Sequence, residues 1–268
     1  MKLARLWWWI VFIVGFLYFF LPLLGTFEFS LGHPLGPVHV TPSLEFYSEV
    51  LGSSAFWGSL GYSFLIGFIT IAVSIGLIVP TAFWVRLRVP RARPFIEFIT
   101  LLPFVIPPIV LVFGLLSTYS HPPLPFTHTD LGSSALLTFA YVILSFPYMY
   151  RAVDTGLQAI DIRTLTEAAQ SLGAGWPRIL LRVILPNLRV ALLSGAFLTL
   201  AIVIGEFTIA TFLARPAFGP YLSLLGQNKA YEPAAVSLIS FGLTWLAMIL
   251  IAFIGRGSRT RVAVTGAR

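Results

Sequence analysis

The chain contains no cysteine and little charge, and both shortages narrow the kind of protein it can be. Without cysteine it has no disulfide framework and no thiolate metal site. Only 10% of its 268 residues are charged, against about 25% in a typical globular domain, whereas 57% are hydrophobic and the mean hydropathy is +0.91. Water cannot be the only solvent of such a chain, so the sequence predicts a membrane protein.

Long apolar runs separate the few charged residues. Six of them are long enough to cross, as helices, a bilayer core of about 30 Å. They span residues 6–25, 60–85, 95–120, 131–150, 190–214 and 234–255. Backbone groups in lipid must be hydrogen-bonded within the protein, and strands of roughly ten alternating residues are absent from the sequence. The predicted fold class is an all-α polytopic membrane protein with six transmembrane helices.

The basic residues fall on one side of this predicted arrangement. Of the 17 lysines and arginines, all but Arg215 and Lys229 lie at the chain ends or in alternate loops. Cytoplasmic loops carry an excess of lysine and arginine, so both termini are predicted to be cytoplasmic, with the chain in the inner (plasma) membrane. The net charge of +7 therefore reflects topology and does not indicate a nucleic-acid partner.

The chain is predicted to contain one main domain. Residues 1–59 would hold a helix and an outer loop, 26–58, that serves as a cap or a contact surface. A secretory signal is an alternative for the first run, but its length and the absence of a small-residue cleavage site favour a retained anchor. No repeat or low-complexity linker divides the remainder. Residues 60–255 are predicted to form the transmembrane domain, and residues 256–268 a cytoplasmic tail.

Three prolines mark the third apolar run: Pro103, Pro107 and Pro108. Proline removes a helical hydrogen bond and bends a spanning helix, so a kink near the middle of the membrane is predicted. The kink could serve helix packing alone, or it could form a flexible wall beside a substrate path. The sequence leaves both readings open.

The only long polar stretch on the predicted cytoplasmic side runs over residues 151–189. Its pattern predicts a first helix over residues 162–172. Thr164 and Glu167 have the spacing of a capping box, in which each side chain bonds the other residue's backbone N–H. Asp161 is a competing N-cap, and the sequence does not decide between them.

Glycine and proline predict where this stretch turns. Gly173 suits the left-handed position after a helix, Pro177 suits the first turn of a second helix, and Pro186 ends that helix. Two short helices would therefore form an elbow, at about residues 161–186, between spanning helices 4 and 5. Ala168 and Ala169 would let a partner approach the backbone closely. Alternatively, the elbow rests on lipid headgroups as a plain amphipathic helix.

One set of residues in the elbow has a definite spacing: Glu167, Ala168, Ala169, Gly173, Leu185 and Pro186. It resembles the EAA loop of permease subunits of binding-protein-dependent ABC importers. Val183 stands where the family pattern has isoleucine, a mild departure that keeps the apolar face. The resemblance extends over roughly residues 60–255, through the topology, the proline-rich third run and the segment 146–161.

The resemblance implies a role and a set of partners. The elbow would insert into a cleft of a cytoplasmic ATPase subunit and pass its motion to the spanning helices, with the six motif residues as the coupling residues. The chain would form half of the translocation path. It would pair with a second permease, identical or different, two ATPase subunits and an extracytoplasmic substrate-binding protein. The chain itself has no G-x-x-x-x-G-K-[ST] phosphate loop, so neither enzymatic activity nor a cofactor is predicted.

Glu206 lies near the centre of the fifth predicted span. A carboxylate there is costly and normally faces the protein interior or water. It either lines the translocation path, as we also expect for Pro107 and Pro108, or locks helix packing through a hydrogen bond with Thr208 or Thr211. Related permeases for anions also carry Gly-Glu-Phe at this place, so the charge does not identify the ligand.

The remaining titratable residues are assigned structural or surface roles. Glu97 is expected to form a salt bridge with Arg91 or Arg93 at the membrane interface. The histidines lack metal-ligand spacing, so no metal site is predicted: His33, His39, His121 and His128.

The substrate implied by the resemblance is polyamine-like, because the segment around Glu206 and the chain length look most like spermidine/putrescine permeases. Ferric iron, thiamine, phosphonate and oxyanion importers share the form of the elbow and stay as alternatives. Two other classes also stay open. An ion-coupled secondary transporter would use Glu97 and Glu206, although no inverted halves are visible. A membrane scaffold or receptor would use the elbow to bind another protein. Dependence on ATP and on a soluble receptor separates these classes.

Overall fold

The structure is a computed structural model that describes residues 2–32 and 42–256. His33, His39 and the predicted tail beyond residue 256 therefore lie outside the described residues. Across the described ranges, regular structure is entirely helical, with short 3₁₀ and π-helical turns between α-helices. The predicted all-α class is confirmed.

The helices follow one another with short connections. In chain order they are α1 (Lys2–Ser30), α2 (Glu45–Gly52), α3 (Ser54–Arg88), α4 (Arg93–Val105), α5 (Pro108–Tyr119), α6 (Asp130–Gln158), α7 (Ile162–Ser171), α8 (Trp176–Ile179), α9 (Leu185–Asn187), α10 (Arg189–Gly205), α11 (Thr208–Phe212), α12 (Phe218–Asn228) and α13 (Glu232–Arg256). A π-helical turn, Leu180–Ile184, joins α8 to α9.

Several of these helices have the length and the apolar composition of membrane spans. Among the described residues, 3 helices are long and apolar enough to cross a membrane: Trp7–Ser30 of α1, all of α3 and all of α6. Two bent helix pairs raise the number to 5 if each pair is one span. Helix α13 occupies the last predicted run. A membrane protein with several apolar helices is confirmed, and the count of six stays a prediction.

The proline-rich third run is broken rather than gently bent. The helices before and after the break, Pro90–Val105 and α5, differ in direction by 96°. Ile106 (ψ 113°) and Pro107 (ψ 139°) are both extended. A proline disfavours the α conformation of the residue before it. Pro107 therefore favours an extended backbone at Ile106, and Pro108 favours one at Pro107. The predicted kink is confirmed, as a break at two successive prolines.

The fifth predicted run, residues 190–214, forms two helices, which corrects the expectation of one continuous helix. Helix α10 ends at Gly205, Glu206 is extended (ψ 127°), and α11 begins at Thr208. The physical reason lies in the side chain of Glu206, which bonds backbone N–H groups that a helix start leaves free. The break therefore places the Glu206 carboxylate at the start of α11 and not on the side of a continuous helix.

Helices α6 and α10 cross closely because each presents a glycine to the other. A Cβ on Gly156 would lie 2.6 Å from the Cβ of Ala191, and one on Gly195 would lie 2.8 Å from the Sδ of Met149. Lipid tails are as apolar as the helices, so membrane helices associate largely through such close van der Waals packing. Larger side chains at these two positions would push α6 and α10 apart.

Residue contacts divide the described part of the chain into two compact units, one formed by residues 2–32, 42–58 and 221–244 and the other by residues 59–220 and 245–256. In the first unit, the ring of Tyr231 lies 4.9 Å from that of Phe29 and 5.1 Å from that of Phe46. Lys229 Nζ forms an ion pair with Glu49 (2.9 Å). These contacts hold the described part of the outer loop against the start of α13.

The second unit contains two apolar cores. One is formed by α3, α6 and the elbow, with Phe83, Leu157 and Ile184 fully buried. The other is formed by α3, α5, α6, α10 and α11, with Val112 and Ile209 fully buried. The predicted elbow and path residues all lie in this unit.

Candidate functional site

The first helix of the elbow is capped by an aspartate, and the alternative capping box is not formed. Thr164 donates a hydrogen bond from its hydroxyl to Asp161 Oδ2 (2.7 Å) and another from its N–H to Oδ1 (3.2 Å). Both bonds favour the ionised carboxylate and hold the pKa of Asp161 below its usual value. Glu167, which is not used as a cap, forms an exposed ion pair with Arg163 (3.4 Å).

Gly173 ends this helix in the left-handed conformation, with φ +76°. The N–H of Gly173 donates to the Gln170 carbonyl (2.9 Å), and the N–H of Ala174 donates to the Ala169 carbonyl (3.0 Å). This pair of bonds is a Schellman motif, which favours glycine because a Cβ is strained at positive φ. Apart from Gly173 itself and its two chain neighbours, no described atom lies within 4 Å of the place where a Gly173 Cβ would be. The turn is therefore specified by the backbone, and the space beside it is open.

The end of the first elbow helix exposes a leucine and two small residues beside one glutamate. Glu167, Ala168 and Gly173 are exposed, and Leu172 is 89% exposed. We call these four residues the tip. A leucine so exposed adds little to the core of its own chain, and its surface is available to another molecule. Sequence reasoning missed Leu172, for which the only signal was its position directly before the glycine stop.

The other motif residues lie below the tip. Ala169, Leu185 and Pro186 are half-buried, and the first two pack against the core that the elbow shares with α3 and α6. Of the six motif residues, three are therefore exposed and three are half-buried. The packing of Ala169 anchors the helix that carries Glu167 and Ala168.

An aromatic contact packs the elbow against α3. The ring of Trp176 lies 4.7 Å from the ring of Trp84, and the guanidinium carbon of Arg88 lies 5.5 Å from the centroid of Trp176. Ile179 and Ile184 of the elbow are fully buried. Sequence reasoning assigned Trp176 only to a turn. In the structure it packs the elbow against the end of an apolar helix.

A buried carboxylate close to the elbow binds two arginines. Asp154 of α6 is 5% exposed and pairs with Arg86 (3.2 Å) and Arg93 (2.9 Å), while the Gln158 amide donates to it (2.6 Å). Arg93 also pairs with Glu97 (2.9 Å), as expected. These bonds join α3, α4 and α6. Within the described part of the chain, no three His, Asp or Glu side chains are grouped so that they could hold a metal ion.

Glu206 is held by three donors at the break between α10 and α11. Its carboxylate accepts hydrogen bonds from the N–H of Ile209 (2.7 Å), from the N–H of Ala210 (3.2 Å) and from the Tyr141 hydroxyl (3.0 Å). The expected interior hydrogen bond is present, but its side-chain partner is Tyr141, not Thr208 or Thr211. The Thr211 hydroxyl donates to the Phe207 carbonyl instead.

Glu206 also lines a cavity of about 390 Å³ between α4, α5, α6 and α10. Pro108 lies in its wall, so the structure brings together two of the three expected path residues. Pro107 is not among the lining residues. The other walls come from Pro103, Phe104, Leu144, Tyr148, Ala201, Ile202 and Gly205.

A second, larger cavity of about 760 Å³ lies nearer the elbow. Its walls include Ile160 and Asn187, which flank the elbow in the sequence, and its one charged side chain is that of Arg151. Arg151 is exposed. Phe104 and Tyr148 line both cavities. The two cavities therefore adjoin along α4 and α6.

The residues that form the elbow, the ion network and both cavities fall inside one family match. The model of the family described as "Binding-protein-dependent transport system inner membrane component" matches residues 72–262, more than half of the chain. The chain belongs to this permease family. The resemblance seen in the elbow motif is confirmed, and the family is one of inner-membrane transport components.

The relatives of this permease are named for several different substrates. A probable ABC transporter permease of Sinorhizobium fredii, y4fN, is 32% identical over 86% of the chain, which spans 42% of the length of that relative. The molybdenum transport permease ModB of Escherichia coli is 29% identical, covering 60% of the chain and 76% of ModB. The spermidine/putrescine permease PotC of Escherichia coli is 28% identical, covering 56% of the chain and 53% of PotC.

Solved structures agree on the fold. A bacterial ABC transporter that imports the acidic polysaccharide alginate contains a chain with a TM-score of 0.68 and 15% identity, covering 94% of this permease and 98% of that chain. The same kind of transporter in complex with a periplasmic protein gives a TM-score of 0.65 and 13% identity, covering 99% and 98%. At this identity the likeness establishes the fold alone.

Proposed function

We propose that this permease forms half of the substrate path of an ABC importer and is driven through its elbow by a separate cytoplasmic ATPase subunit. The proposal rests on the tip, where an exposed leucine lies beside two small residues and a glutamate. The inner side chains of the elbow are buried and support it. Such a shape fits a cleft on a partner, where burial of one leucine side chain is worth about 1.5–3 kcal/mol. An amphipathic helix resting on headgroups would face its apolar side to lipid and would need no left-handed turn at its end.

The proposal includes an assembly. A single chain of this size supplies one wall of a path, so a second permease, identical or different, supplies the other. Two ATPase subunits would bind the two elbows, and an extracytoplasmic protein would deliver the substrate. The alginate transporter solved with a periplasmic protein supports that last partner. The elbow side is cytoplasmic in this arrangement, as are both termini, and residues 60–255 form the transport part.

Two substitutions at the tip test the coupling directly. Gly173→Trp and Glu167→Arg are each expected to lower substrate-driven ATP hydrolysis and uptake by the assembled importer at least fivefold. The reason is that the space beside Gly173 is open within the chain, so a large side chain there obstructs a partner. Gly173→Asn is the matched control, because asparagine tolerates positive φ and should retain most of the activity. Unchanged uptake in both variants would remove the coupling role.

The substrate we propose first is polyamine-like, on the resemblance of the segment around Glu206 and on the relative that carries a spermidine/putrescine name. A small oxyanion is the second candidate, favoured by the charges of the two cavities. Three donors already occupy most of the acceptor sites of the Glu206 carboxylate, which leaves few for the N–H donors of a polyamine. Arg151 is the charged side chain of the larger cavity. An anion on that route would meet an uncompensated positive charge.

One assay distinguishes the two substrates. The importer is reconstituted in nanodiscs with its binding protein, and ATP hydrolysis is measured with spermidine, putrescine, molybdate, sulfate, phosphonate, thiamine and ferric iron. Stimulation by a polyamine supports the first candidate, and stimulation by molybdate or sulfate supports the second. Failure of every ligand and of the binding protein to change the rate would contradict the importer role.

Glu206 gives a further prediction. Glu206→Gln is expected to lower transport several-fold with normal membrane insertion, because an amide cannot accept all three hydrogen bonds and the break between α10 and α11 loses its cap. Tyr141→Phe removes one donor and should have a smaller effect. Thr211→Val is the control on the same short helix. Uptake kinetics and the amount of inserted chain are measured together, and unaltered kinetics in Glu206→Gln would show that the carboxylate has no role in transport.

A further inference from the structure

Two aromatic side chains stand where the two cavities meet. Phe104 of α4 and Tyr148 of α6 line both cavities, and their rings are 5.4 Å apart in an edge-on arrangement with planes at 72°. On one side of this pair lies the smaller cavity with Glu206. On the other side lies the larger cavity, whose walls reach Ile160 and Asn187 at the two ends of the elbow.

We propose that Phe104 and Tyr148 form this chain's side of the constriction that separates two compartments of the substrate path. The inference rests on the proposed transport function and names the residues with which this wall narrows the path. The ring of Phe104 is 59% exposed, so it is free to meet the facing wall of the second permease. Apolar side chains that meet across a narrow passage exclude water and hydrated solutes, and this is one way in which membrane pathways are gated. In the assembled path the compartment with Arg151 is then open to the elbow side while the compartment with Glu206 is closed to it.

The placement of Phe104 allows the constriction to open. The start of α4 is pinned to α6 by the ion pair of Arg93 with Asp154 (2.9 Å). The other end of α4 stops at Val105, directly before the break at Ile106 and Pro107. A rotation of α4 about its pinned start would therefore move Phe104 most. Tyr148 lies within the continuous helix α6 and would stay in place.

Thiol labelling tests this inference because the chain contains no cysteine of its own. Ala201→Cys places a thiol in the compartment of Glu206, and Thr155→Cys places one in the compartment of Arg151. The reconstituted importer is treated, from the elbow side and without nucleotide, with the membrane-impermeant anionic reagent sulfonatoethyl methanethiosulfonate. Modification of this chain is followed by mass spectrometry.

We expect the thiol of Thr155→Cys to react at least tenfold faster than that of Ala201→Cys. Adding Phe104→Ala or Tyr148→Ala should raise the rate at Ala201→Cys at least tenfold and leave the rate at Thr155→Cys unchanged. Phe104→Leu, a milder change, should give an intermediate rate. The control is Phe113→Ala, which truncates another ring pair, Phe113 with Phe212 at 5.1 Å, that lines neither cavity. It should change neither rate.

Two results would overturn the inference, and they differ in what else they affect. Equal reaction at both thiols, or an unchanged rate at Ala201→Cys after truncation of either ring, would show that Phe104 and Tyr148 are not the constriction, while the path itself stands. No reaction at Thr155→Cys from the elbow side would show that the larger cavity is not part of a water-accessible path. That result would remove both the constriction and this part of the proposed function.

Discussion

Replacement of Leu172 with arginine is expected to abolish transport while leaving the chain folded in the membrane. Leu172 is 89% exposed, so the substitution removes almost no packing within the chain. In a partner's cleft it would cost the burial of one leucine, about 1.5–3 kcal/mol, and would add an unpaired charge at a desolvated surface. Because 1.4 kcal/mol corresponds to a factor of ten, ATPase binding and substrate-driven ATP hydrolysis should fall at least tenfold.

The matched control for this prediction is Leu131→Arg. Leu131, at the start of α6, is 84% exposed and lies outside the elbow. The two variants are compared by the amount of inserted chain, by co-purification of the ATPase subunit and by uptake in proteoliposomes. Equal losses in both variants would indicate a general effect of a surface charge, and normal uptake in Leu172→Arg would show that the tip does not enter a cleft.

Loss of the Asp154 carboxylate is expected to have the largest effect on stability. Asp154→Ala leaves Arg86 and Arg93 without the buried partner that they share. A hydrogen bond to a charged group is typically worth about 1.5–3 kcal/mol, and Asp154 accepts one from each arginine, although Arg86 and Arg93 are 29% and 42% exposed and Arg93 keeps Glu97 as a partner. The yield of folded chain in detergent and its thermal midpoint should both drop sharply. Asp154→Asn keeps the size of the side chain and should be intermediate.

A more exposed ion pair of the same chain provides the comparison. Glu49 pairs with Lys229 at 2.9 Å, and the two side chains are 54% and 44% exposed. Exposed pairs contribute about 0–1 kcal/mol, so Glu49→Ala should leave yield and thermal midpoint nearly unchanged. If Asp154→Ala behaved like Glu49→Ala, the network would not hold α3, α4 and α6 together, and the pinned start of α4 would lose its support.

The features that the sequence predicted are those with a local cause. Two successive prolines force the break after α4 whatever surrounds them, and Gly173 marks a left-handed turn that few other residues adopt. The choice between Asp161 and the capping box is also local, yet it was not predicted. Both caps satisfy a free N–H at the helix start, and only the geometry of Thr164 favours the aspartate.

The features that the sequence did not predict depend on residues far apart in the chain. Asp154 meets arginines that are 61 and 68 positions away, and no spacing rule connects them. Tyr141 meets Glu206 across 65 positions. No proline marks the break at Glu206 in the sequence. The break arises from the Glu206 carboxylate, which accepts hydrogen bonds from backbone N–H groups three and four residues later. Tertiary contacts of this kind create the candidate site, whereas local rules position its helices.

The central claim, that the elbow couples this permease to a separate ATPase, is tested most directly by cross-linking from the tip. Since the chain lacks cysteine, Ala168→Cys can be labelled with a benzophenone maleimide in the assembled importer, with Leu131→Cys as the distant control. After illumination, mass spectrometry identifies the attached protein. We expect an ATPase subunit with a phosphate-binding loop to be attached at residue 168 and none at residue 131. Attachment only to lipid, or to a protein without such a loop, would contradict the coupling of the elbow to an ATPase.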